Sequence, residues 1–165
     1  MVRKKTNRRK ADKGTSYMFP SIHQDVVNAV SDEIASPKFY PNDSDSAANN
    51  TCSTNVMGTF KCTNNACSNR GWGSKKVAIL IRGYPKGRYN AVVFNQRCRS
   101  CKKLGNLTLN EDSYVDRVAY RLKAWAGIKM ERPYVNSKMG PPHESTLCEG
   151  CKRGVCPKKN DWGYR

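Results

Sequence analysis

The sequence predicts a small α+β domain stapled by metal, in which an antiparallel β-hairpin forms the core beside two helices and two structural metal sites. Three observations point there. Seven cysteines and one histidine fall at paired spacings beyond residue 55. Two segments of alternating apolar residues flank the turn Gly83–Gly87. Two other segments, Ile22 to Ile34 and Val115 to Ala126, repeat apolar residues at helical spacing.

Size and composition bound the rest. At 165 residues the chain holds one domain plus tails. Hydrophobic residues make up 38%, and the longest uninterrupted apolar run is Val77 to Ile81. A core that small needs folding energy from metal, and no stretch suits a transmembrane helix. The chain opens on Met1-Val2-Arg3-Lys4-Lys5 with no apolar segment behind it, so no secretory signal peptide is expected. The expected location is a reducing nucleus or cytoplasm, where thiols stay available for metal instead of forming disulfides.

In chain order, residues 1–15 carry Arg3, Lys4, Lys5, Arg8, Arg9, Lys10 and Lys13 against Asp12 alone. They read as a disordered basic tail, either a nuclear-import signal or an arm that lies on phosphates. Residues 16–40 read as an N-terminal helix packing on the metal-binding domain. The helix starts after Pro20, with Ser21 as N-cap and Gln24 closing a capping box, and it buries Ile22, Val26, Val27, Val30 and Ile34 before Pro37. His23 has no metal-ligand spacing and reads as an ordinary surface residue. Residues 41–55 are polar and turn-forming, a linker or long loop in which Cys52 is a surface thiol.

The domain proper spans 56–157. Val56–Cys62 reads as a short strand offering Met57 and Phe60 to the core. Lys75–Arg82 and Arg88–Arg97 form the hairpin, with Trp72 and Phe94 expected inside. Asn106–Leu109 adds a short strand. A second helix follows, capped by Asn110 or Asp112, with Val115, Val118, Ala119, Leu122, Trp125 and Ala126 as its buried stripe and Gly127 as its stop. Arg117 and Arg121 fall on its outer face, where two like charges four apart either stay solvated or share a phosphate. Glu131 to His143 is a connection containing Pro and Gly, and 158–165 is a basic C-terminal tail.

The candidate ligands are Cys62, Cys67, Cys98, Cys101, His143, Cys148, Cys151 and Cys156. Two residues between cysteines let a tight turn aim both thiolates at one ion, and four residues between Cys62 and Cys67 do so through a looser knuckle. Zinc is the metal expected, as two ions, because it accepts sulfur and imidazole and closes structural sites with four protein ligands. The four dyads can combine in three ways. An interleaved pairing, in which a late dyad completes a site begun by an early one, is favoured because it stitches both ends of the domain together.

With these residues laid out, the chain resembles the 3CxxC-type zinc-binding domain family, which includes receptor-transporting proteins, zygote arrest proteins and many fungal proteins. The resemblance rests on Gly58–Cys62, Gly71–Val77, Tyr89–Cys101 and Pro142–Cys156. The Tyr17–Pro20 entry to the first helix and the Glu131–Tyr134 segment look most like the fungal branch. One departure is visible, since four residues separate Cys62 from Cys67 where the family name implies two. The resemblance implies zinc ligation by the eight residues. Its relatives suggest two different roles, messenger-RNA binding and receptor trafficking.

The formal charge is +17, and binding two dications through seven thiolates leaves +14. A polyanion is the partner such a surface selects. RNA is favoured because cations lie next to aromatic rings, as in Arg82, Lys86, Arg88, Tyr89, Arg97 and Arg99, and in Arg132 with Tyr134. Arg117, Arg121, Lys152 and Arg153 extend this candidate set. Cations would track phosphates while exposed rings stack on unpaired bases, each worth about 1 to 3 kcal/mol. The alternative is a zinc-stabilised protein-interaction or trafficking adaptor. No enzymatic activity or small-molecule substrate is expected: His143-Glu144 ahead of Cys148 and Cys151 lacks the His-x-Glu order and the Pro that a zinc deaminase needs, and eight ligands for two ions leave no place for an activated water.

Overall fold

A computed structural model describes residues 14–131 and 143–157. The basic tail up to Lys13, the connection 132–142 with Arg132 and Tyr134, and the C-terminal tail from Lys158 lie outside the described residues. In chain order the elements are β1 (Ser16–Tyr17), α1 (His23–Val30), β2 (Lys38–Phe39), β3 (Asn50–Cys62), β4 (Gly71–Tyr84), β5 (Arg88–Phe94), β6 (Gly105–Leu109), α2 (Glu111–Trp125) and α3 (Glu149–Lys152). The strands make one sheet ordered β1-β5-β4-β3-β6, antiparallel throughout, with β2 added in parallel along β5. The fold is a small α+β architecture, as its residue pattern predicts.

The expected hairpin is the centre of this sheet. Ile79 lies opposite Val93 and Tyr84 opposite Arg88, with a short 3-10 turn at Pro85–Gly87 between them. Both faces of the hairpin are buried. On one side Val77, Ile79, Ile81, Tyr89, Ala91 and Val93 meet Val26 of α1 and Tyr114, Val118 and Leu122 of α2. On the other, Ala78, Leu80, Val92 and Phe94 meet Cys148. Period-two alternation thus sorts each strand between a helix-covered face and a cysteine-covered face.

Several local expectations are corrected. The first long strand begins at Asn50, not Val56, so the end of the 41–55 loop is strand: Asn50 pairs with Gly83 and Cys52 with Ile81. Its side chains are polar, and the long partner β4 supplies the ladder that their composition conceals. Cys52 is therefore a half-buried strand residue and not a thiol on a loose loop. α1 is preceded by a 3-10 turn at Pro20–Ile22, and Ser21 makes no cap, since neither start carries a side-chain cap bond. His23 is part-buried, its Nδ1 2.8 Å from the Tyr89 hydroxyl. Asn110 does cap α2, accepting from the Ser113 amide at 2.9 Å. Ala126, expected in the buried stripe, is exposed beyond the helix end.

Between the pairs Val56–Val77 and Gly58–Ser74 the register shifts. Lys75 and Lys76 together face Met57 there, so β4 bulges by one residue. Met57, expected in the core, is 38% exposed at this bulge, whereas Phe60 is buried as expected. Trp72 is half-buried, stacked on Phe60 at 5.1 Å.

Candidate metal centres

The four strand ends at one edge of the sheet converge on the first centre. Cys62 closes β3, Cys67 precedes β4, Cys98 follows β5 and Cys101 precedes β6. The sulfurs of Cys62 and Cys101 are 3.5 Å apart, and those of Cys67 and Cys98 are 3.8 Å apart. A tetrahedron of sulfurs about 2.3 Å from zinc has edges of about 3.8 Å, so the cluster has the dimensions of a zinc site. The knuckle after Cys98 closes by the Lys102 amide donating to the Cys98 carbonyl at 2.8 Å, with Lys102 in the left-handed region at φ 63°. The Asn69 side-chain amide donates to the Cys98 sulfur at 3.4 Å, a bond that orients and stabilises a thiolate ligand.

The second centre is gathered from His143, Cys148, Cys151 and Cys156, with all ligand atoms within 4.8 Å of one another. His143 Nε2 lies 3.3 Å from the Cys151 sulfur and 3.5 Å from that of Cys156. Mixed nitrogen and sulfur ligands at ordinary zinc distances have edges of about 3.6 Å. Cys148 caps α3, its sulfur accepting from the Cys151 amide at 3.4 Å. The segment is pinned to the sheet by the Arg97 amide donating to Leu147 O at 2.8 Å and the Glu149 amide donating to Asn95 O at 3.1 Å.

The dyads therefore pair in sequence order, the first two in one centre and the last two in the other, which corrects the interleaved expectation. The physical reason is the sheet. Antiparallel pairing of β3 with β4 and β6, and of β4 with β5, already brings the first four cysteines to one edge, so no late dyad is needed to close that site.

Electrostatics agree with two cation sites. Hydrogen bonding with Cys156 is the largest influence on the Cys148 thiol, which is pulled down to about 4; burial opposes, and His143 and the Cys151 amide add to the lowering. In the first centre burial works against Cys98, but the Cys101 and Ser100 amides and the neighbouring thiols bring it down to about 6. Cys62 moves the other way, to about 12: its backbone contact at Asn64 pulls downward and is outweighed by burial and by the crowding of Cys101, Cys98 and Cys67. Cys98 and Cys101 in the first cluster and Cys148 in the second are pulled down while their neighbours are pushed up, as expected where several sulfurs are held together to share a cation.

The predicted nucleic-acid residues separate into distinct groups. Arg82 is fully buried, donating to Asp45 at 2.8 Å and to Asp43 at 2.6 Å, and Tyr89 is buried against His23. Neither reaches solvent, which removes both from any phosphate or base surface. Arg121 is also buried, against the expected outer face, with its guanidinium over the Tyr120 ring; Arg117 is half-buried on the same helix. Lys86 is exposed at the hairpin tip, and Arg88 is half-buried over the Tyr40 ring. Lys152 and Arg153 are exposed beside the second centre, where Arg153 grips Asp43 with bonds of 3.0 and 3.1 Å. Arg97 bonds Glu149 at 2.7 Å, and exposed Arg99 pairs with Glu144.

Arg97 and Arg99 line a groove of about 750 Å³ running between the two centres, bounded also by Met57, Asn69, Trp72, Lys75, Lys76, Asn110, His143 and Leu147. Sequence reasoning missed Lys75 and Lys76 as surface cations of this groove. The signal that could have found them is Gly71-Trp72-Gly73-Ser74 immediately before two adjacent lysines, an unusual opening for a half-buried strand.

The family model of the 3CxxC zinc ribbon, described as a zinc-binding domain, matches residues 55–154. No curated protein and no solved structure matches the chain.

Proposed function

Because this chain belongs to the 3CxxC-type zinc-binding domain family, we propose that its two zinc centres are structural and that the basic surface they support binds RNA. One observation carries this reading. From residue 46 to residue 110 there is no Asp or Glu, while eleven Lys and Arg occur in the same span. Five of them, Lys61, Arg70, Arg99, Lys102 and Lys103, are exposed within three residues of a ligand of the first centre, and Lys75 is exposed farther along β4. A zinc bound by four thiolates carries two negative charges, and this set exceeds what is needed to offset them. A surplus of that size attracts a polyanion.

RNA is the polyanion favoured, because the groove between the centres suits unpaired bases and not a duplex. The protein is non-catalytic in this reading, since each centre has four protein ligands and therefore no position for a reactive water. It acts in the nucleus or cytoplasm, where the thiols remain reduced. A second reading, a protein-interaction adaptor, is favoured by exposed Met57 beside half-buried Leu109 and Leu147 in the same groove.

The test is binding of the zinc-loaded chain to single-stranded RNA, duplex RNA and duplex DNA at two salt concentrations, with a deletion of residues 1–15 alongside. Preference for single-stranded RNA that survives the deletion, with affinity falling steeply as salt rises, is the expected result. Equal binding to all three that vanishes with the deletion would move the adaptor reading to the front.

A further inference from the structure

We propose that the groove beside the β4 bulge is the path of the RNA, with unpaired bases entering between the two metal centres. The inference rests on the RNA-binding reading and gives it a location. In a regular strand, Lys75 and Lys76 would point to opposite faces. The bulge sets both against Met57, and both line the groove. Bulges serve to re-aim side chains in this way and occur next to functional sites more often than elsewhere. Lys75, Lys76 and Arg99 all line this groove, and a lining with these three cations suits a phosphate backbone.

The groove also supplies what a base needs. Trp72 is fixed before anything binds: Phe60 stacks on its indole with an interplanar angle of 8°, and its N–H donates to Gln96 Oε1 at 3.1 Å. Its half-buried ring lines the groove, as does exposed Met57, and each offers apolar surface to a base. An ordered ring loses little entropy on binding. Glu144 is the single carboxylate among the groove residues, and it is held by Arg99. An acidic peptide would also satisfy the lysines, but it has no use for a fixed aromatic ring in the same groove.

The experiment uses the full zinc-loaded chain and a labelled single-stranded oligouridine. Lys75→Glu/Lys76→Glu is compared with Lys38→Glu, which places a new negative charge on exposed β2, outside the groove. If the RNA follows the groove, the double variant should weaken binding by about tenfold or more and should flatten the log–log salt slope by about 0.7 for each phosphate it no longer neutralises. Lys38→Glu should change affinity less than about threefold. Ultraviolet crosslinking of oligouridine to the unmodified protein, mapped by mass spectrometry, should mark Trp72 or Met57, and this readout does not depend on the variants folding. Crosslinks confined to other segments, or equal weakening in the double variant and Lys38→Glu, would overturn the groove while leaving RNA binding in place. Failure of the unmodified protein to bind oligouridine at low salt would overturn both.

Discussion

The two metal centres use the same chemistry in different ways. The first joins positions far apart in sequence, Cys62 to Cys101 across 39 residues and Cys67 to Cys98 across 31. It sits at the sheet edge, with three of its four cysteines half-buried. The second collects its ligands from residues 143–156 and lies on the hairpin, covering Ala78, Leu80, Val92 and Phe94. One centre closes loops that the sheet has already brought together. The other folds a local segment and seals a core face, so its metal and its packing stand or fall together.

That difference predicts the largest effects. Cys98→Ser and Cys148→Ser should each reduce the zinc content by one ion, read by native mass spectrometry, and each should cost at least about 4 kcal/mol, since loss of a metal is among the few changes that destabilise so strongly. Their consequences for the surface should diverge. Cys148→Ser frees the segment that covers the second core face, so a hydrophobic dye should bind strongly. Cys98→Ser leaves that face covered and should bind little dye. Dye binding in the reverse order would break the comparison.

A smaller effect links the second centre to the loop before β3. Arg82 is wholly buried with its guanidinium between Asp43 and Asp45, and Arg153, two residues beyond Cys151, grips the same Asp43. Burial tends to raise the Asp43 pKa, but hydrogen bonds and charge from Arg153 and Arg82 hold it below the ordinary value. The stability it contributes is thus present above about pH 4, the ordinary range of an unfolded aspartate, and is lost as pH falls through the lower folded value. Asp43→Asn should destabilise by about 3 kcal/mol, because it removes one partner of a buried charge. Chelator should then strip the second centre faster than the first, measured by stopped-flow release to a zinc indicator. Equal acceleration at both centres would mean that the clamp serves the whole fold and not this centre.

How much of this was legible in the sequence depends on the kind of signal. The eight ligands, the hairpin and the second helix were readable because cysteine spacing and apolar periodicity are local. The pairing of dyads was not, since it follows from which strands become neighbours, and β6 lying beside β3 is a long-range outcome. The strand from Asn50 to Asn55 was hidden by polar side chains whose backbones pair with β4. Arg82 looked like a surface cation because its two carboxylates lie 39 and 37 residues earlier, in a segment that reads only as a loop. The bulge that aligns Lys75 with Lys76 leaves no mark in composition at all.

Glycine substitutions sharpen the comparison at the level of packing. A Cβ built on Gly150 would lie 2.5 Å from the Ala78 Cβ and 3.5 Å from that of Phe94, whereas one on Gly73 would meet nothing within 4 Å. The Ala78 methyl cannot swing aside, so Gly150→Ala must lift the second centre off the sheet. It should cost about 1 to 3 kcal/mol while both zinc ions stay bound. Gly73→Ala, on the strand that lines the groove, should change stability by less than about 0.5 kcal/mol. Thermal denaturation of the two variants at equal zinc content tests the contrast, and equal destabilisation would show that the second centre rests on the hairpin more loosely than its packing implies.

The smallest expected effect separates the metal-bearing part of the molecule from the helix-bearing face. His23 packs beside Tyr89, whose buried hydroxyl lies 2.8 Å from Nδ1 and is kept protonated by burial, and burial lowers the histidine pKa. The unfolded chain therefore binds the proton more readily than the folded one. The resulting stability is complete above the ordinary histidine value of 6.5 and is lost as pH falls through the lower folded value. Thiolate protonation acts in the same direction by releasing zinc. His23→Gln should remove only the histidine part, flattening the dependence of the urea midpoint on pH between about 7 and 5.5 at constant zinc occupancy. If the variant keeps the full slope of the unmodified protein, the acid sensitivity belongs entirely to the metal centres, and the helix-covered face contributes none of it.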